Sequence, residues 1–326
     1  MNRLFISALA FGLVIALPAY GQVPTDSVKR VVVRDDQEIK YREGMQLEQL
    51  RLYPQARAIY VDIAKQFVRA ADTGKSKEAL VNQLPVVLSS VYRMGIVTAR
   101  DNYYNVHPLV YQLDSFQETQ TLIDQVLVIM GEFRRQGLVS RYLYESLYFS
   151  RAFNRVAWAN KLLIGTAWKN YVICPPSDVV GMVALAMADL DQLLVLQELP
   201  PNLNALSVLY KEPINKDVTR DVKERDVSQI LTDRYADRFK QWSKDSLEMR
   251  TYRLMNFEDD QINLSRLTTK RTLNQVYGVL EFYNSQDTQQ AIALGKSNYT
   301  LERILSKDNQ PFFKSLEQLV SFLGIY

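Results

Sequence analysis

The chain has 326 residues but only one cysteine, Cys174, and one histidine, His107. A single thiol excludes an intramolecular disulfide, and one thiol with one imidazole excludes every zinc pattern built from cysteine and histidine. Nucleophilic catalysis of the Ser-His-Asp or Cys-His kind would rest on His107 alone. That residue precedes Pro108 in the aromatic loop Tyr103-Tyr104-Asn105-Val106-His107-Pro108, where a packed or solvent-facing role is expected. Cys174 lies in the apolar stretch Tyr171 to Pro176 and reads as a buried, inert thiol.

Glycine is scarce, at 12 residues, and no Asn-Gly or Asp-Gly turn separates alternating runs, so strands are not expected to dominate. The residual strand reading pairs Val28 to Val33 with Asn170 to Cys174 as a small sheet. A Gly-rich phosphate loop, a nucleophile elbow and a dinucleotide fingerprint are all missing, and no cofactor is expected. Charge of neither sign prevails: 39 Lys and Arg face 36 Asp and Glu, a formal net of +3. Acids interrupt the basic stretches, as in Arg220 to Asp226, so a nucleic-acid partner is not expected.

Long hydrophobic runs are limited to two. The run Val179 to Leu199 has the length of a membrane span, about 20 residues, yet Asp189, Asp191 and Glu198 interrupt it. Carboxylates in hydrocarbon are costly, and a central helix of a soluble core is the better reading. The other run is Leu4 to Leu17, preceded by Arg3 and followed by Pro18-Ala19-Tyr20-Gly21. Short positive, apolar and small-residue regions in that order mark an export signal over residues 1–21, which places the mature protein in the periplasm or outside the cell. No cysteine follows at once to carry a lipid, and no membrane span is expected after cleavage.

What remains is ordinary globular material, 47% hydrophobic and 23% charged, with helical periodicity nearly throughout. Residues 22–38 read as a flexible arm, 39–201 as an N-terminal helical domain, 202–226 as a linker and 227–326 as a smaller C-terminal helical lobe. Helices are expected at Lys77 to Thr98, interrupted by Pro85, at Asp114 to Gln136 with Gly137 as its C-cap, and from a Ser140 cap onward. Others are expected at Val179 to Glu198, Ser228 to about Phe257, Gln261 to Asn284, Thr288 to Ile304 and residues 310–323.

The segment 39–70 is more specific. Gly44, Leu47, Tyr53, Ala56 and Tyr60 stand at the spacing at which one helix of a hairpin packs on the next, with Pro54 in the first turn of the second helix. This hairpin resembles one tetratricopeptide repeat. Glu43 and Ile63 depart from that pattern, and no clear second copy follows at the family's 34-residue offset. The expectation is thus an irregular all-α array carrying one such hairpin.

Two features could carry function. Tyrosine supplies contact area with a polar tip, and Tyr103, Tyr104, Tyr111, Tyr142, Tyr144 and Tyr148 concentrate in one region of a chain holding 19 tyrosines. They are candidate partner-binding residues, with packing between irregular helices as the other reading. Carboxylates are the second feature: Asp189 or Glu145 would be the acid of a glycan-cleaving enzyme, which needs two carboxyl groups about 5–9.5 Å apart. The bland reading has one of Asp189 and Asp191 facing solvent or pairing with a base while the other caps a neighbouring helix. A third possibility is a carrier of an apolar ligand beside Met182, Met187 and Leu194. The preferred expectation is a non-catalytic scaffold or adaptor for protein partners. A signal followed by long helices without cofactors is similar to periplasmic helical components of conjugation or secretion machines.

Overall fold

Helices and turns make up the computed structural model, which describes residues 36–103, 109–169, 176–197, 229, 231–256 and 263–284. The fold is all-α, with no strand among the described residues. The export signal, the arm through residue 35, Tyr104, His107, Cys174, the linker 202–226, both strands of the possible small sheet and the helices expected beyond residue 284 lie outside them. All described helices belong to the unit Asp35–Tyr326.

Helix α1 (Asp36–Gln49) and α2 (Tyr53–Asp72) form a hairpin, followed by α3 (Lys77–Tyr103), α4 (Leu109–Arg135) and a 3-10 turn (Arg141–Tyr144) that leads into α5 (Glu145–Lys169). Next come α6 (Pro176–Leu196), α7 (residues 231–241), α8 (Leu247–Asn256) and α9 (Leu264–Asn284). Three helices end in the same way. Gly137 takes φ +71° and donates to the Arg134 carbonyl, while Leu138 N–H reaches back to Phe133, a Schellman cap. Gly74 closes α2 by the same pair of bonds, to Ala71 and Ala70. Arg51 closes α1 likewise, at φ +61°, where a residue with a β-carbon is strained.

Three expectations are corrected. Pro85 does not interrupt α3, which runs unbroken past it to Tyr103. Proline leaves the Val81 carbonyl without its helical donor, but Leu84 before it and Val86 to Leu88 after it are buried, and packing holds the helix through the defect. Ser140 does not cap an α-helix: it precedes the 3-10 turn without a side-chain cap bond, and α5 begins only at Glu145. The single helix expected from Ser228 to Phe257 breaks at residues 242–246, where the Ser246 hydroxyl accepts the Met249 N–H at 3.2 Å and starts α8.

Two apolar clusters organise these helices. One gathers Tyr60, Phe67, Leu84, Leu88 and Met94 with Ile123, Met130 and Leu147, from α2 through α5. The other joins Phe153, Val156, Leu190 and Leu193 of α5 and α6 to Leu231, Tyr235, Tyr252 and Met255 of α7 and α8. Each large side chain so enclosed contributes about 1.5–3 kcal/mol. Helix α3 serves both clusters, through Leu88 and Met94 on one side and Tyr92 and Ala99 on the other. Among the described residues only this helix is long and apolar enough to cross a membrane, and 78% of its apolar window is buried inside the fold.

Candidate functional site

The hairpin residues meet as follows. Gly44 and Ala56 are buried, Tyr60 is fully enclosed, and Leu47 and Tyr53 are half-buried against the same cluster. Gly44 lets α1 approach the Tyr60 ring, and Tyr41 lies 5.9 Å from that ring by centroid. Aromatic burial is thus the fastening of α1, which has little else to bury: Tyr41 and Gly44 are its buried residues.

Around this hairpin sits a buried charge centre. Glu48 of α1 accepts from Arg93 of α3 at 2.6 Å and from Arg100 at 3.3 Å, while the Tyr60 hydroxyl donates to it at 3.3 Å. The Glu48 and Arg93 side chains are 9% and 5% exposed, so the pair is desolvated and holds only because each partner is matched. Arg93 Nε also donates to the Tyr41 hydroxyl, which in turn donates to the Leu254 carbonyl of α8 at 2.9 Å. Burial pushes the Tyr41 and Tyr60 phenols up, with Arg93 opposing. Burial pulls Arg93 down, but Tyr41 and Glu48 outweigh it and leave the guanidinium above its ordinary value.

A second centre joins α2, α3 and α4. Arg57 donates to Glu118 at 2.6 Å, to the Ser115 carbonyl at 3.0 Å and to the Thr98 hydroxyl at 3.2 Å. Lys65 takes the other Glu118 oxygen at 2.6 Å. Burial pushes the Glu118 carboxyl up, yet the hydrogen bonds from Lys65 and Arg57 prevail and hold it below the usual range.

Asp189 is the acid of a third centre. Arg151 of α5 grips it with Nε at 3.0 and 3.1 Å and Nη2 at 2.5 Å, and Arg155 binds the other oxygen at 2.6 Å. Arg151 continues to Asp124 of α4 at 3.0 Å. Burial pushes the Asp189 carboxyl up against the pull of both guanidiniums. Asp189 is thus the member of the pair that meets a basic partner, in Arg151 and Arg155, and it serves as a rivet between α5 and α6. The Asp191 side chain lies outside the described residues.

Glu145, the other candidate acid, is 3% exposed at the first position of α5. The Tyr252 hydroxyl makes a short bond to one oxygen, while Tyr235 and Gln197 donate to the other at 3.3 Å and Arg271 stands 3.9 Å away. Tyr235 also bonds Thr272 at 3.0 Å. Burial and the neighbouring Glu145 charge push the Tyr252 phenol well up and the Tyr235 phenol up. One carboxylate thus ties α5 to α7, α8, α9 and the end of α6.

Of the tyrosines read as partner-binding, Tyr142, Tyr144 and Tyr148 come together at the 3-10 turn and the start of α5. Tyr144 is buried and stacks with half-buried Tyr148 at 6.0 Å. Half-buried Tyr142 packs 5.4 Å from Trp242, with the Arg238 guanidinium 4.4 Å and that of Arg141 5.0 Å from its ring centre. Tyr103 ends α3 and Tyr111 lies in α4, but their side chains, like all of Tyr104, fall outside the described residues. Met187 and Leu194 are core residues, with Met182 packed against them.

Sequence reasoning missed Glu48, Arg57, Arg93 and Glu118. A signal was there: Arg57 follows Ala56 and precedes Tyr60 by three residues, and Arg93 stands inside Val91-Tyr92-Arg93-Met94, so each base lies on an apolar face. Among the described residues no group of three or more His, Cys, Asp or Glu side chains is placed to hold a metal ion. Compared with known proteins, the chain matches no family model, no curated sequence and no solved structure.

Proposed function

We propose that the chain is an exported bacterial envelope protein acting as a non-catalytic protein-interaction scaffold or adaptor, of the kind that serves a conjugation or secretion apparatus. The observation that carries this reading is the use to which its acids are put. Glu145 and Asp189, the carboxylates best suited by sequence to glycan cleavage, are enclosed by partners that tie helices together: Glu145 by Tyr235, Tyr252 and Gln197, Asp189 by the guanidiniums of Arg151 and Arg155. A general acid must reach a substrate oxygen, and neither group is left exposed to one. The contact surface in this reading is the face where Tyr142 and Tyr148 stay half-exposed beside Arg141 and Arg151.

Affinity purification from envelope fractions, followed by mass spectrometry, tests it. A defined set of proteins is expected to copurify and to be lost in a Tyr142→Ala, Tyr148→Ala double variant that keeps its helical content. Failure to recover any specific partner overturns the adaptor reading, and glycan turnover abolished by Asp189→Asn would put an enzyme in its place.

A further inference from the structure

Where α2 turns into α3 and α4 turns into the 3-10 segment, two exposed corners lie side by side, joined by a bond from Lys77 Nζ to Gln136 Oε1 at 3.0 Å. Residues 69–78 and 132–141 carry six bases, Arg69, Lys75, Lys77, Arg134, Arg135 and Arg141, against the acids Asp72, Glu78 and Glu132, all exposed. Bases thus outnumber acids by three across these two corners. Glu132 is occupied by Arg135, and Arg134 lies over the Tyr144 ring at 5.5 Å, which keeps the bases of the second corner close together.

Helix capping does not account for all of this charge. Arg69, Arg134 and Arg135 sit in last turns, where cations complement the helix dipole. Lys77, however, opens α3, where the dipole disfavours a cation, while Lys75 and Arg141 belong to turns. At the tip of the second corner, immediately after Gly137, Leu138 is 40% exposed in the midst of these bases.

We propose that this corner docks on an anionic lipid bilayer, with Leu138 entering the boundary between headgroups and acyl chains and the surrounding Lys and Arg side chains meeting the lipid phosphates. An acidic protein would satisfy the charges alone. An apolar tip ringed by long cationic side chains, whose stems lie along hydrocarbon while their heads stay in water, fits the bilayer interface better. The proposal deepens the envelope reading above and rests on it for access to phospholipid.

Flotation of the purified full chain with vesicles tests it. The chain is expected to float with mixed phosphatidylglycerol and phosphatidylcholine vesicles, to stay behind with pure phosphatidylcholine, and to release as salt shortens the reach of the charges. Neutralising Arg134, Arg135 and Arg141 to Gln is expected to weaken binding on the order of a hundredfold, at about 1 kcal/mol per base. Leu138→Ser is expected to weaken it roughly tenfold. These side chains are exposed and their ion-pair and ring contacts lie at the surface, so thermal midpoints should fall only slightly, and that measurement verifies folding. Absence of binding to the anionic vesicles, equal binding to both vesicle types, or wild-type binding by the triple variant overturns the proposal. Retention on polyglutamate without vesicle binding would assign the corner to an acidic protein instead, and would leave the adaptor reading to its copurification test.

Discussion

A β-carbon placed on Gly44 would come within 2.7 Å of Cε1 of Tyr60, so the close approach of α1 to α2 depends on the missing side chain. Alanine in a helix interior normally stabilises by about 0.8–1 kcal/mol over glycine. Here the neighbour is an enclosed aromatic ring, and overpacking prevails. Gly44→Ala is expected to destabilise the chain by about 1–3 kcal/mol in urea denaturation. Tyr60→Leu in the same chain should recover part of that loss, and an alanine as stable as the parent would show that α1 can shift freely.

The crossing of α3 with α5 is less forgiving. A β-carbon on Gly95 would meet the Ser150 hydroxyl, which already donates to the Val91 carbonyl at 2.7 Å, and would lie 3.0 Å from the Ser150 backbone oxygen. Backbone cannot rotate aside as a side-chain tip can. Gly95→Ala is therefore expected to cost about 3 kcal/mol or more, the upper end for overpacking. A thermal midpoint less affected than that of Gly44→Ala would refute this ordering.

The hairpin around Gly44 and Tyr60 was legible because its signal is local: small and aromatic residues recur within about two helical turns of each other on adjacent helices. The charge centres were not. Arg93 meets Glu48 across 45 residues, and Tyr252 meets Glu145 across 107. A base on an apolar helix face announces that some partner exists, but not which acid the fold brings to it. Pro85 misled for a related reason, since its local helix-breaking effect is overridden by burial that only the assembled helices provide.

Tyr252 tests the Glu145 centre. Phenylalanine keeps the ring among Tyr235, Phe239 and Trp242 but removes the short hydrogen bond to a buried carboxylate oxygen. Tyr252→Phe is expected to destabilise by about 1–3 kcal/mol, the usual consequence of a buried polar atom losing its partner. Replacing the charge as well, with Glu145→Gln, should make the two effects strongly non-additive in a double-mutant cycle. Additive losses would mean that the two groups do not act as a pair.

Arg51 offers the opposite sign. Its φ of +61° closes α1 where Gly74 and Gly137 close α2 and α4. The left-handed conformation costs an L-residue roughly 1–2 kcal/mol, of which glycine's larger unfolded-state entropy returns a part. Arg51→Gly is expected to stabilise by about 0.5–1 kcal/mol. A lower denaturation midpoint for this variant would indicate that the arginine side chain contributes more than its backbone strain removes.

Lys161 links stability to pH. It is 6% exposed on α5, and burial pulls its ammonium down from 10.5 to about 8. Between those values the unfolded chain holds the proton and the folded chain has released it, so stability rises with pH across that window. Below about 8 both states are charged, and the full desolvation penalty, on the order of 3 kcal/mol, opposes folding. Lys161→Met keeps an apolar stem and removes the charge. It is expected to raise stability at neutral pH by about 1–3 kcal/mol and to abolish the alkaline rise in urea midpoints. A methionine variant that gains nothing at neutral pH, with the rise retained, would show that the contacts of Lys161 already offset its burial and that another group titrates in that window.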